Sequence, residues 1–190
     1  WEVPNQSEDF LTETFENLKG QPVIFFIESS SNPSGYMLDP KVLAKLRRQP
    51  SQFYLIVDNT WLTSATFNPF EALGATVVVN SLSKHYSVSR CIGGVAIFDS
   101  RPLFVNAFEK VRIFGWHVSP LHCKRILEGL PGLVERKRKS YALANPVLDF
   151  LKAHPKVLDI SYPLLGTHPS HYLKEVYLCT KEGELLGPDL

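Results

Sequence analysis

Four stretches of this chain are apolar almost without interruption: Pro22–Ile27, Phe53–Val57, Ala75–Val79 and Gly94–Phe98. A strand with one face in water alternates apolar and polar residues, whereas a strand covered on both faces has no need to. Each run has the length of a strand, and the valines of the third favour the pleated backbone. Helical patterns lie between several of them. Asp9–Leu18 is acidic and amphipathic and is closed by Gly20, Pro40–Arg48 opens on a proline suited to a first turn and is followed by Pro50, and Phe70–Leu73 is a short helical patch. Buried strands alternating with helices predict an α/β fold, a mostly parallel sheet flanked by helices on both sides.

From Pro102 onward the pattern turns helical, with a long charged segment from Pro120 to His154 that carries Arg136-Lys137-Arg138-Lys139. Such a cluster reads as a solvated helix face. Val157–Tyr162 then reads as a strand opening a second module, which divides the chain into residues 1–145 and 146–190.

The charge balance of 20 Lys and Arg against 19 Asp and Glu offers no excess for gripping nucleic acid or an anionic membrane. With 44% hydrophobic residues over 190 positions, the chain has the material for a buried core. No apolar run approaches the roughly 20 residues of a membrane span, and Trp1-Glu2-Val3-Pro4 lacks the basic-then-apolar order of a leader, so a cytoplasmic protein is expected. Cys91, Cys123 and Cys179 are widely spaced and read as reduced thiols, not a zinc set. His168 and His171 stand three apart, but Pro169 argues against a helical metal-binding face, so no metal is expected.

In open α/β sheets ligands bind beyond the carboxyl ends of the strands. After the first run stand Glu28 and Ser29-Ser30-Ser31-Asn32-Pro33, after the second Asp58-Asn59-Thr60, and after the third Asn80-Ser81-Leu82-Ser83-Lys84. Parallel strands would bring a carboxylate, an amide, hydroxyls and an amine to one edge. That inventory fits pyridoxal 5'-phosphate, which needs a lysine amine for covalent attachment, an acid opposite its ring nitrogen and donors for its phosphate. Lys84, Asp58 and the pair Ser81 and Ser83 supply those roles. Taken singly each motif has an ordinary structural reading: a loop lysine, an Asx turn, a turn at Asn32-Pro33-Ser34-Gly35. The joint order carries the argument. No G-x-G-x-x-G or G-x-x-x-x-G-K-[ST] occurs, which leaves a nucleotide-binding domain without support.

The segments Glu28–Pro33, Val57-Asp58-Asn59-Thr60-Trp61, Phe70–Ala75, Ser81-Leu82-Ser83-Lys84 and Gly93-Gly94 together resemble the Cys/Met metabolism family of pyridoxal-phosphate enzymes. The likeness continues through Leu127–Leu130, Leu133, Arg136, Tyr162-Pro163 and Thr167-His168-Pro169, and covers roughly residues 22–175. The resemblance implies part of a fold-type I large domain followed by the start of a C-terminal α+β domain. It implies trans-sulfuration chemistry, a C–S lyase or a γ-replacement transferase acting on sulfur amino acids or activated homoserine, in a homodimer or homotetramer. It also implies that Lys84 is the cofactor lysine, Asp58 the ring-nitrogen partner, Ser81 and Ser83 phosphate ligands, Asn32 a residue on the substrate side of the ring and Thr60 one near its face.

Departures from the family pattern set a second expectation. The family chain is about twice as long, its phosphate loop and stacking tyrosine precede the first strand here, and its arginine for the substrate carboxylate lies in the C-terminal domain. The segment after the lysine, His85–Ile92, is shorter than the family's and lacks glycine, so positive-φ conformations there are costly. A truncated enzyme is one expectation; a catalytically silent homologue acting as an interaction or regulatory subunit is the alternative.

Overall fold

A computed structural model describes residues 7–188; Trp1–Pro4, read above for a leader, lies outside them. Ser7 accepts the Phe10 N–H at 3.3 Å and starts helix α1, Glu8–Asn17. Strand β1, Pro22–Glu28, follows, then α2, Pro40–Leu46, which opens with Pro40 in its first turn and Asp39 accepting the Lys41 N–H at 2.7 Å. Strand β2 is Gln52–Asp58. Two short helices, α3 at Thr63–Thr66 and α4 at Pro69–Leu73, lead to β3, Val77–Ser81. Strand β4 is Gly94–Phe98, and the α-helices after it are α5 Arg101–Phe114, α6 Pro120–Gly129, α7 Leu133–Ala153 and α8 Lys174–Tyr177.

The sheet order is β1-β2-β3-β4, with β1, β2 and β3 parallel and β4 antiparallel to β3. All four apolar runs are therefore strands of one mostly parallel sheet. On one face, Leu55, Val57 and Val78 are buried in a cluster with Leu62, Phe67 and Leu73. Beside it, Leu11 and Phe15 of α1 pack with Val23, Val42 and Leu46, and Phe15 meets the Phe25 ring edge-on at 5.3 Å.

Three features correct the expectations. The sheet is not covered on both faces at β1: Ile24 is 70% exposed and Phe26 56%. Its apolar pattern thus marks a surface that the described residues leave open. Val157–Tyr162 forms no strand. Its alternate residues do not share a buried face, since Leu158 is exposed and Tyr162 buried, and Asp159 accepts the Ile160 N–H locally at 2.8 Å. The Ser161 hydroxyl instead donates to the Ser34 carbonyl at 2.7 Å, which ties the segment to the loop after β1. Finally, the basic cluster is only half solvated: Arg138 and Lys139 pair with Glu184 and Glu135, but Lys137 is buried and Arg136 half-buried.

Helix α7 runs unbroken through positions 145 and 146, with Pro146 inside it. Leu173, Tyr177 and Leu178 join the same cluster as Leu55 and Val57. The Tyr177 ring stacks on Phe67 at 4.4 Å, and its hydroxyl donates to the Leu38 carbonyl at 2.5 Å. His168 Nε2 lies 2.9 Å from the Ser34 carbonyl, while its Nδ1 accepts the Ser170 N–H at 3.1 Å.

Candidate active site

Parallel pairing sets Glu28 opposite Asp58 and Asp58 opposite Val79, so the chain leaves β1, β2 and β3 at one edge of the sheet. The backbone bonds across that edge are short: Ser29 N–H to Asp58 O and Asn59 N–H to Val79 O, both 2.8 Å. A cleft of about 280 Å³ opens there. Asn32, Asp58, Thr60, Ser81 and Lys84 all line it, so five of the six residues singled out from the sequence come together. Glu28, Ser30, Trp61 and His85 also line it. Each adjoins or lies within a motif named above; what no pattern reveals is which side chains of these loops turn inward.

A chain of hydrogen bonds fixes the floor of the cleft. Asp58 Oδ1 accepts the Thr60 N–H at 2.8 Å, and Thr60 Oγ1 accepts the Ser81 N–H at 2.8 Å. Asp58 Oδ2 has no partner among the described residues, and neither has the Lys84 ammonium. The buried Ser30 hydroxyl likewise has none. A buried hydroxyl left without a partner is costly. Ser29 Oγ and Asn59 Oδ1 are buried and without a partner among the described residues in the same way, but of the three residues only Ser30 lines the cleft. Beside it, Glu28 Oε2 accepts the Asn32 N–H at 3.0 Å, which orients the turn carrying Asn32. The Asn32–Pro33 peptide is cis.

Ser83 stands apart. Its hydroxyl donates to the Gly93 carbonyl at 3.2 Å and accepts the Gly93 N–H at 2.9 Å, closing the base of the loop that follows Lys84. It is not among the residues lining the cleft. The loop itself takes the costly conformation without glycine: Val88 and Ser89 both have φ 57°. Helices α6 and α7 hold it there. Arg136 Nη2 donates to the His85 carbonyl at 2.8 Å and to the Gly129 carbonyl at 2.6 Å, and Arg125 Nη1 donates to Arg90 O at 3.0 Å. Inside the loop, the buried Tyr86 hydroxyl accepts the Ser64 N–H at 3.1 Å and donates to Asn80 Oδ1 at 3.4 Å. Helix α7 also reaches the β2 side, where Lys137 Nζ donates to Trp61 O at 3.3 Å.

The fold and the edge cleft define an α/β protein with a lysine, a carboxylate and hydroxyls gathered at the carboxyl ends of parallel strands. Residues 4–186 match the Cys/Met metabolism PLP-dependent enzyme family, and the chain belongs to it. It is 31% identical over 166 residues to the chloroplastic mimosinase of Mimosa pudica, covering 86% of this chain and 37% of that protein. It is 32% identical over 149 residues to the cystathionine gamma-lyase of Dictyostelium discoideum, covering 78% of this chain and 38% of that one. Among solved structures, the cystathionine gamma synthase of Xanthomonas oryzae pv. oryzae in complex with cystathionine superposes with a TM-score of 0.83 at 25% identity. That match covers 96% of this chain and 45% of the synthase. The chain thus spans less than half the length of these relatives. Among the described residues no helix is long and apolar enough to cross a membrane.

Proposed function

We propose that this chain carries the lysine side of a pyridoxal-phosphate site and serves elimination or γ-replacement on sulfur amino acids or activated homoserine. The observation that carries the reading is the convergence of Asp58 and Lys84 in one cleft, beside the buried Ser30 hydroxyl, which has no partner among the described residues. The donor set fits the cofactor: an amine to hold it, a carboxylate for its ring nitrogen, and the Ser81 and Ser30 hydroxyls for its phosphate. When bound, pyridoxal phosphate supplies an electrophilic carbonyl carbon and a ring that accepts electron density.

In this reading Lys84 Nζ holds the cofactor at rest and afterwards takes up and returns the substrate's α-proton. Asp58 Oδ2 holds the proton on the ring nitrogen, its partner oxygen being pinned by the Thr60 N–H. Thr60 Oγ1 accepts from Ser81, so its own hydrogen is left for a group in the cleft. Asn32 stands on the substrate side. Ser83 reaches the phosphate only by giving up its two bonds to Gly93. That observation favours the second reading, a catalytically silent homologue acting as an interaction or regulatory subunit.

The division at 145/146, the homo-oligomer and a cytoplasmic setting are parts of the same proposal. Helix α5 supports the oligomer, since none of its residues is buried and Phe104, Phe108, Ile113 and Phe114 lie exposed along it. The free thiols of Cys91, Cys123 and Cys179 accord with a reducing compartment.

The test is to mix the full chain with pyridoxal phosphate, reduce with borohydride and map the labelled peptide. Label confined to Lys84, and lost in Lys84→Ala, is the expected result. Scattered labelling of surface lysines would overturn the cofactor assignment. Specific labelling without turnover of any sulfur amino acid, in the chain alone or assembled with the rest of its family's fold, would establish the silent homologue.

A further inference from the structure

Among the described residues, three other than glycine hold a positive φ: Thr63 at 67°, and Val88 and Ser89 at 57°. Thr63 is fully buried and β-branched, which makes its backbone a genuine outlier. Backbone in so sparse a region persists only where its surroundings over-determine it, and it gathers at functional sites. Thr63 opens α3, a few residues after Asp58 and Thr60 of the cleft, and Val88 and Ser89 follow Lys84 as closely. The two strained segments thus adjoin the proposed carboxylate and the proposed lysine, and one side chain joins them.

That side chain is Tyr86, which is buried and is not among the residues lining the cleft. Its hydroxyl accepts the Ser64 N–H at 3.1 Å, next to strained Thr63, and lies 3.2 Å from the Ser64 hydroxyl. It donates to Asn80 Oδ1 at 3.4 Å. The phenol has one hydrogen and gives it to Asn80, so the Ser64 hydroxyl is the donor in its own contact. Asn80 precedes Ser81 on β3, so these bonds reach the strand that leads into the lysine turn as well as the helix that follows the Asp58 turn. Within the lysine turn, the Ser87 N–H donates to Leu82 O at 3.0 Å and the Ser89 N–H to Lys84 O at 3.2 Å. Those local bonds shape the turn without fixing its place. The Tyr86 phenol ties it to α3 and β3, as Arg136 ties it to α7 through the His85 carbonyl.

We infer that Tyr86 is a positioning residue for Lys84. Its phenol pins the turn against the start of α3 and the end of β3, and so fixes from outside the cleft where the lysine enters it. Displacing a reacting group by about 1 Å can cost about 100-fold in rate. The effect on the reaction rests on the cofactor reading above, whereas the pinning of the turn does not.

The experiment follows two readouts in the full chain and in Tyr86→Phe, which keeps the ring and removes only the hydroxyl. The first is hydrogen exchange by mass spectrometry, without cofactor. Amides of residues 82–89 should exchange at least tenfold faster in the variant, with those of β1 and β2 unchanged. The second is the rate of borohydride-trapped labelling of Lys84 over a range of pyridoxal-phosphate concentrations. Its limiting rate should fall at least fivefold while the half-saturating concentration moves less than twofold, a split that general loosening of the fold does not produce. Asn80→Ala cuts the other end of one bond and should lower the limiting rate at least threefold; it serves where the phenylalanine variant fails to fold. Tyr172→Phe, which loses a phenol bond to Asp39 on the surface, should move neither readout. Exchange unchanged at 82–89, or quickened alike throughout, overturns the inference. So does a limiting rate that holds despite faster local exchange. If wild-type labelling is scattered over surface lysines while exchange quickens only at 82–89, the cofactor reading fails and the pinning of the turn by Tyr86 stands.

Discussion

The Ser81 backbone N–H donates to Thr60 Oγ1 at 2.8 Å, joining the end of the strand that leads to Lys84 to the turn that carries Asp58. This one bond couples the positions of the proposed lysine and carboxylate. Thr60→Val keeps the shape but strands the Ser81 N–H, which costs about 1–3 kcal/mol when such a donor is buried. Denaturant unfolding should show that loss. Pyridoxal-phosphate labelling of Lys84 should fall with it, and Thr60→Ser should restore both.

Val88 sits at φ 57° with 41% of its surface exposed, so its backbone is strained while its side chain is partly packed. A non-glycine residue in the left-handed region costs about 1–2 kcal/mol, and the added freedom of glycine in the unfolded chain returns about 0.4–1 kcal/mol of that. Val88→Gly should therefore stabilise the protein only slightly, by about 0–1 kcal/mol once the lost packing of the partly covered side chain is set against the relief of strain. A lower denaturation midpoint in this variant would show that the loop does not hold that conformation.

Gly129 approaches the lysine loop so closely that a Cβ would overlap the Tyr86 carbonyl oxygen. The atom in the way is backbone, so relief requires moving the loop or the end of α6. Gly129→Ala should destabilise by about 1–3 kcal/mol, as overpacked sites do. It should also lower labelling of Lys84, because the displaced segment begins one residue after it.

Burial raises the Tyr177 phenol above its ordinary range, with the negative charge of Asp39 acting in the same direction. The native state therefore favours the protonated phenol relative to the unfolded chain, whose tyrosine titrates near about 10. This contribution is present in full below that pH and is lost as pH rises further, since the unfolded state then releases a proton that the native state keeps. Stability measured from pH 8 to 11 should decline above about pH 10. Tyr177→Phe should flatten that decline, while costing about 0.5–1.5 kcal/mol at neutral pH for the lost bond to Leu38.

The sequence reached the four strands because a continuous apolar run of strand length has few other uses. It reached five cleft residues because parallel strands deliver whatever follows them to one edge. It did not reach the fate of Ser83, whose hydroxyl is claimed by the Gly93 backbone ten residues on. Spacing along the chain records a hydroxyl near the lysine but not the competing donor and acceptor that fold back onto it. Val157–Tyr162 failed for a related reason: a strand is completed by a neighbour, and this segment's neighbour is the loop at Ser34.

Local chemistry by itself determined the helix that opens on Pro40, the strand runs and the order of Asp58, Ser81 and Lys84, because each depends on residues a few positions apart. Tertiary structure decided which face of the sheet is covered, which way the basic residues of α7 turn, and that a loop without glycine is held at positive φ. Those outcomes depend on groups far apart in sequence: Arg136 meets His85 across 51 positions, and Lys137 meets Trp61 across 76. Only the packed fold brings such pairs within hydrogen-bonding distance, where a charged side chain that sequence reads as solvated comes to hold a loop of the site.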